Sequence, residues 1–193
     1  MALESTVILT ILAPGMLLWT QSNKPSGTGM SFSRQQSNQI IVLDNVLTDT
    51  ECSELIGFYK TVGPSHDYRS TKVRPLRPGQ GVDTYVAKIV RAFNEFSRFS
   101  IGISWCEIVE WPKNASHALH VDKTDPVAAF TSITYLNSDF TGGCTYFKND
   151  LSITPKTGRT IYFDGLYYVH GVTTVETGTR YTLPIWYSFY EKV

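Results

Sequence analysis

The sequence predicts an α+β domain in which two helices precede a series of short strands. Three observations lead there. Apolar residues recur at helical spacing in two early windows, Cys52–Tyr59 and Asp83–Phe99. From Ile101 onward the chain is a succession of short aromatic and β-branched segments separated by turn residues. Aromatic residues make up 13% of the chain, with 11 Tyr and 10 Phe, a composition that suits strands. Helices followed by strands fit an α+β domain whose strand half closes as a sandwich, barrel or jelly roll. A length of 193 residues fits one such domain and is ample for a buried core.

The elements follow in order. Ile40-Ile41-Val42-Leu43 ends at Asp44-Asn45 and reads as a strand. Thr48-Asp49-Thr50-Glu51 carries a capping signal with acids in the first turn. Cys52, Leu55, Ile56 and Tyr59 then share one helical face. From Val62 to Gln80 the chain holds Pro64, Pro75 and Pro78 and the cations Arg69, Lys72, Arg74 and Arg77. That stretch reads as a long loop, with Arg69–Arg77 open either as a mobile lid over substrate or as a solvated loop of incidental length. In the second helix Tyr85, Val86, Ile89, Val90, Phe93 and Phe96 line one face. The predicted strands are Trp105–Trp111, His117–Val121, Phe130–Leu136, Cys144–Phe147, Arg159–Phe163 and Tyr181–Tyr190, with no internal repeat.

Composition excludes several function classes. Lys+Arg and Asp+Glu both number 17, so no global field draws the chain to nucleic acid or an anionic membrane. Cys52, Cys106 and Cys144 are odd in number and far apart, which fits neither a disulfide framework nor a cysteine zinc site. A soluble, cytoplasmic protein is expected. Residues 1–38 read as an extension and linker, poorly ordered, with the folded domain at 39–193. Val7–Trp19 is apolar but short and broken by Pro14-Gly15, which leaves anchoring or processing as the lesser alternative.

Four histidines are present, and His120-Val121-Asp122 is the informative spacing. On a strand, residues two apart share a face, so an imidazole and a carboxylate converge. His170 follows a later apolar strand and is placed to face His120 across a sandwich. Two imidazoles and one carboxylate make the facial triad of non-haem Fe(II) oxygenases, which leaves coordination positions open for co-substrate and oxygen. Arg180, ten residues on, offers the bidentate fork that would clamp the far carboxylate of a dicarboxylate co-substrate.

This ordered set resembles the Fe(II)/2-oxoglutarate-dependent dioxygenases, in particular their prolyl 4-hydroxylase branch. Tyr135-Leu136-Asn137, Phe140-x-Gly142-Gly143-x-Thr145-x-Phe147, Pro155-x-x-Gly158, Phe163, His170-Gly-Val-x-x-Val175-x-x-Gly178-x-Arg180-Tyr181 and Trp186 match segments of that branch, and Arg69-Ser70 matches an upstream element. The similarity runs from about Ile40 to Tyr190. It implies a double-stranded β-helix, or jelly roll, flanked by N-terminal helices. It implies His120, Asp122 and His170 as iron ligands, Arg180 and Tyr135 as the partners of the distal carboxylate of 2-oxoglutarate, and O2 as co-substrate, with ascorbate as an auxiliary reductant. The implied reaction is hydroxylation of a C–H bond, chiefly in prolyl residues of a peptide or protein, with succinate and CO2 as co-products.

The sequence departs from that branch beside the ligand strand. Trp111 stands near one customary tyrosine and His117 replaces another. His117 has the wrong strand parity to join His120, so it is expected to back the site or touch substrate, as are Arg69, Trp111 and Trp186. A non-prolyl side chain, a free amino acid or a small metabolite remains open as substrate. So does a non-catalytic jelly-roll binding module, and a hydrolytic zinc site is disfavoured because it gives Arg180 no purpose. Oligomeric state is not legible.

Overall fold

The computed structural model describes residues 8–12, 39–96, 101–122 and 128–189. Strand β1 (Ile8–Leu12) pairs antiparallel with β2 (Gln39–Leu43). The apolar segment expected to be a poorly ordered extension thus adds an edge strand, because its backbone completes the free side of β2. The rest of residues 1–38 lies outside the described residues.

Helix α1 (Asp49–Val62) starts where the sequence places it. Thr48 and Glu51 form a reciprocal capping box, with Glu51 N–H on Thr48 Oγ1 at 3.2 Å and Thr48 N–H on Glu51 Oε2 at 2.7 Å. Gly63 ends the helix at φ 71°, a left-handed conformation that glycine adopts freely. Arg74 donates to the Gly63 and Val62 carbonyls at 2.5 and 2.8 Å, satisfying groups the helix leaves open.

Arg74 belongs to a hairpin rather than a loop. β3 (His66–Tyr68) and β4 (Thr71–Pro75) pair with each other, and β4 continues onto β5 (Ile101–Trp111). The prolines and cations match loop composition, but Pro75 only ends β4 and the tip turns through Arg69 at φ 55°. Helix α2 (Asp83–Phe96) is described to Phe96; its expected last turn lies outside the described residues.

The remaining strands are β6 (His117–His120), β7 (Ala128–Tyr135), β8 (Thr141–Gly142), β9 (Thr145–Phe147), β10 (Ser152–Ile153), β11 (Thr160–Phe163), β12 (His170–Val172), β13 (Val175–Thr177) and β14 (Arg180–Phe189). An eight-stranded sheet runs β1-β2-β11-β7-β14-β5-β4-β3, a four-stranded sheet runs β10-β9-β12-β6, and β13-β8 form a small third sheet. The architecture is the expected jelly roll of mostly antiparallel sheets, though the described strands do not close into a barrel.

Alternation along the strands divides two cores. Tyr162, Leu183, Ile185, Tyr187 and Ile108 face the helices, where Phe93 of α2 packs against Phe130, Tyr162 and Tyr187 at 5.3–5.7 Å between ring centroids. Ile133, Tyr135, Ile161 and Phe163 face the four-stranded sheet and meet Phe147 and Tyr168. The second core is the floor on which the polar residues stand. Among the described residues no helix is long and apolar enough to cross a membrane.

Candidate active site

β12 pairs with β6 so that His170 lies directly opposite His120, their rings 4.4 Å apart between centroids. They are therefore neighbours in one sheet, not residues facing across a sandwich. Asp122 lies just beyond β6, so it joins them through a loop instead of by strand alternation. Its N–H donates to Gly165 O at 2.9 Å and its Oδ2 accepts from Thr131 Oγ1 at 2.5 Å. Oδ1 is left 3.7 Å from His120 Nε2 and 3.8 Å from His170 Nε2. One ligand atom from each residue lies within 4.8 Å of the others.

The backbone orients both rings. His120 Nδ1 lies 2.9 Å from Ala118 O and His170 Nδ1 lies 3.0 Å from Tyr168 O. With Nδ1–H donated to a carbonyl, each Nε2 keeps a lone pair for a metal. Burial holds the His170 pKa below its ordinary value, against the pull of the Asp122 carboxylate, which favours the neutral ligating form. Two imidazoles and one carboxylate are the donor set that suits Fe(II) with open positions.

Gly165 is required beside them. A Cβ there would fall 2.4 Å from Thr131 Oγ1 and 2.5 Å from Asp122 Oδ2. Neither Gly165 nor Thr131 stood out in the sequence beyond a turn glycine and a strand threonine, because their role exists only once Asp122 is packed on them.

His117 contradicts the parity expectation. The register shifts between the His170 and Val172 pairs, so His117 and His120 come together, with Nδ1 atoms 2.8 Å apart. Burial, with His120 and Arg69 nearby, pushes the His117 pKa down to about 4. Tyr68 stacks on the other side of His117 at 6.3 Å, and the Arg69 guanidinium lies 5.5 Å over the Tyr68 ring. Ser70 anchors this hairpin tip by donating to Ser116 O at 3.2 Å.

At the other end Arg180 is 1% exposed. Its guanidinium lies 4.6 Å from the Trp111 ring and 5.4 Å from the Tyr135 ring. Nη2 reaches Thr145 Oγ1 at 3.4 Å, which also accepts the Tyr135 hydroxyl at 2.7 Å. Nε and Nη1 are buried without a hydrogen-bond partner among the described residues. Burial lowers the Arg180 pKa to about 10, so it stays a cation at neutral pH. A buried cation with orphaned donors calls for an anion, and a carboxylate matches its fork. Gly143 lets it lie there: at φ 60° its Cβ would sit 3.0 Å from Arg180 Cδ.

Trp111 is engaged here, with Nε1 donating to Thr182 Oγ1 at 3.1 Å while its ring covers the arginine. Trp186 lies opposite Trp105 on one side and Thr131 on the other, with its buried Nε1 unpartnered among the described residues.

Comparison with known proteins agrees with this arrangement. The profile of the 2OG-Fe(II) oxygenase superfamily matches residues 106–188. Human prolyl 3-hydroxylase 1 is 26% identical over 217 aligned residues, covering 82% of this chain and 30% of that protein. The chicken protein is 24% identical with the same coverage. The chain thus spans under a third of the length of these curated relatives. Among solved structures, the viral collagen prolyl hydroxylase of Paramecium bursaria Chlorella virus-1 in its 2-oxoglutarate complex superposes with a TM-score of 0.68 at 22% identity, over 79% of this chain and 96% of that one. A Trichoplax adhaerens prolyl hydroxylase bound to a hypoxia inducible factor peptide gives 0.64 at 17% identity, over 78% and 83%.

Proposed function

We propose that this chain is a 2OG-Fe(II) oxygenase that hydroxylates prolyl residues of a peptide or protein. The observation that carries this is the pairing of one His-Asp-His cluster with a buried, unsatisfied arginine on the same inner floor. Fe(II), 2-oxoglutarate and O2 supply the oxidising chemistry, with succinate and CO2 released and a hydroxyl group left on the substrate carbon. The protein's part is to hold, orient and exclude water.

In this proposal His120, Asp122 and His170 hold the metal through Nε2, Oδ1 and Nε2. Thr131 and Gly165 fix the free carboxylate oxygen of Asp122, and the Ala118 and Tyr168 carbonyls fix the two rings. Arg180 takes the distal carboxylate of 2-oxoglutarate with its orphaned nitrogens. Tyr135 assists either by turning its hydroxyl from Thr145 or by holding Thr145 in place. Trp111 and the apolar floor keep water from that carboxylate, which strengthens its bond to Arg180. Tyr68 and Arg69 of the β3–β4 hairpin, with His117 of β6, line the approach to the metal.

Prolyl specificity is supported by the prolyl hydroxylases among its relatives and structural neighbours. The catalytic unit is residues 39–193, with Ile8–Leu12 as its outermost strand. Three free cysteines support a reducing compartment such as the cytoplasm. The test is succinate release from 2-oxoglutarate by the purified chain with Fe(II) and ascorbate, with and without proline-rich peptides. Peptide-stimulated turnover and hydroxylated proline in the product are expected. Turnover without peptide hydroxylation would redirect the search to another substrate.

A further inference from the structure

The inner face of the large sheet can be followed row by row from the strand register. One row carries Trp111 and Arg180. The next carries Val73, Val109, Thr182 and Tyr135. The third carries Pro75 and Glu107, with Pro184 and Ile133 beyond them. The fourth carries Trp105, Trp186 and Thr131, and Thr131 holds the carboxylate of Asp122. A single carboxylate, Glu107, therefore stands among prolines and indoles.

Among the described residues Glu107 Oε2 accepts one hydrogen bond, from Trp105 Nε1 at 2.8 Å. Neither proline beside it offers an N–H. His66, on the same face at the edge strand, draws its pKa down slightly, but burial dominates and holds it above the ordinary value. Trp105 stays 48% exposed although it shares a row with Thr131, and the buried Nε1 of Trp186 beside it has no acceptor among the described residues. A half-covered carboxylate and an open indole thus lie side by side on this face, hydrogen-bonded to each other, with the buried Trp186 N–H next to them.

Resting on the prolyl hydroxylase proposal above, we infer that Trp105, Glu107 and Trp186 form a substrate subsite that accepts a lysine or arginine close to the hydroxylated proline. The aliphatic stem lies on Trp105 and the cation pairs with Glu107. Strands are spaced by about 4.8 Å, so Trp105 and Thr131, two strands apart, are separated by about 10 Å. An extended peptide advances about 3.3 Å per residue, so the basic residue lies within about three residues of the proline.

The experiment is anaerobic titration calorimetry on the full chain loaded with Fe(II) and 2-oxoglutarate, using matched proline-rich peptides with Lys, Gln or Glu two or three residues from one proline. The Lys peptide is expected to bind about tenfold more tightly than the Gln peptide and the Glu peptide more weakly still, the scale of a partly desolvated charge pair. Glu107→Gln keeps the shape and the acceptor for Trp105, and it should erase the order. Glu107→Asp should retain part of it. Equal affinities in the unaltered chain, a preference that survives Glu107→Gln, or no binding by any peptide would overturn the subsite. Mass spectrometry of the same peptides after aerobic incubation separates the two proposals. Charge-ordered binding without oxygen gained at proline keeps the subsite and removes prolyl specificity. Hydroxylation at equal rates with equal affinities does the reverse.

Discussion

The two ends of the site are built in opposite ways. At the His120 end the groups that support the ligand atoms have protein partners: the Nδ1 atoms lie against backbone carbonyls and Asp122 rests on Thr131 and the Gly165 backbone. The elements there are short, namely four-residue β6, three-residue β12 and a loop. At the Arg180 end the scaffold is long and regular, with β14 pairing on both sides, yet the functional group is left with two nitrogens unpaired among the described residues. A metal site must be preorganised by its own hydrogen bonds, because three ligands have to meet one point. An anion clamp needs the reverse: a rigid frame and donors left idle until the anion arrives.

The sharpest way to break this contrast is to remove Asp122. Asp122→Ala should cost more than about 100-fold in both Fe(II) affinity and turnover, beyond the loss typical of a supporting group. Metal titration checks the first and succinate release the second. Arg180→Lys keeps the charge but loses the fork. It should raise the KM for 2-oxoglutarate by ~30-fold or more, the equivalent of about 2 kcal/mol from a buried charged hydrogen bond. Fe(II) affinity without 2-oxoglutarate should hardly move, so the two ends separate in a two-ligand titration.

The supporting groups sharpen the picture further. Gly165→Ala must push Asp122 or Thr131 aside, and Thr131→Val removes the Asp122 contact without a clash. Each should weaken metal binding by about 10- to 100-fold, with the alanine the worse. Neither should alter 2-oxoglutarate binding measured on metal-loaded protein.

The smallest effect lies away from both ends. Asp44 is held below its ordinary pKa of 3.8, chiefly by its hydrogen bond from Arg159 and with help from Lys156, against the opposing cost of burial. Its folded pKa is depressed, so its contribution to stability is complete above about pH 4 and is lost as pH falls through the folded value. Asp44→Asn should destabilise the chain by about 1 kcal/mol or less at pH 7. The difference should vanish in acid, as chemical denaturation at several pH values will show, with the metal site unaffected.

Some of this was legible without coordinates. The α1 capping box, the aromatic strands and the ordered series His120, Asp122, His170 and Arg180 are local signals, carried by short spacings and residue type. The hairpin at His66–Pro75 was hidden because proline and arginine resemble loop composition, while its pairing with β5 depends on a strand far along the chain. The strand at Ile8–Leu12 was hidden for the same reason, since its partner is β2 across a long polar stretch.

The chain's residues by themselves determined the chemistry on offer: two imidazoles, a carboxylate and a guanidinium in family order on a strand-rich domain. Only the tertiary structure decided how they are held. A register shift overrode strand parity and set His117 against His120, and cross-strand pairing made His170 the neighbour of His120. Packing turned Gly165 and Thr131 into supports for Asp122, and the sheet register gathered Trp105, Glu107 and Trp186 on one face. Short-range spacing is written in the chain, whereas register and close approach arise from the balance of all the pairings at once.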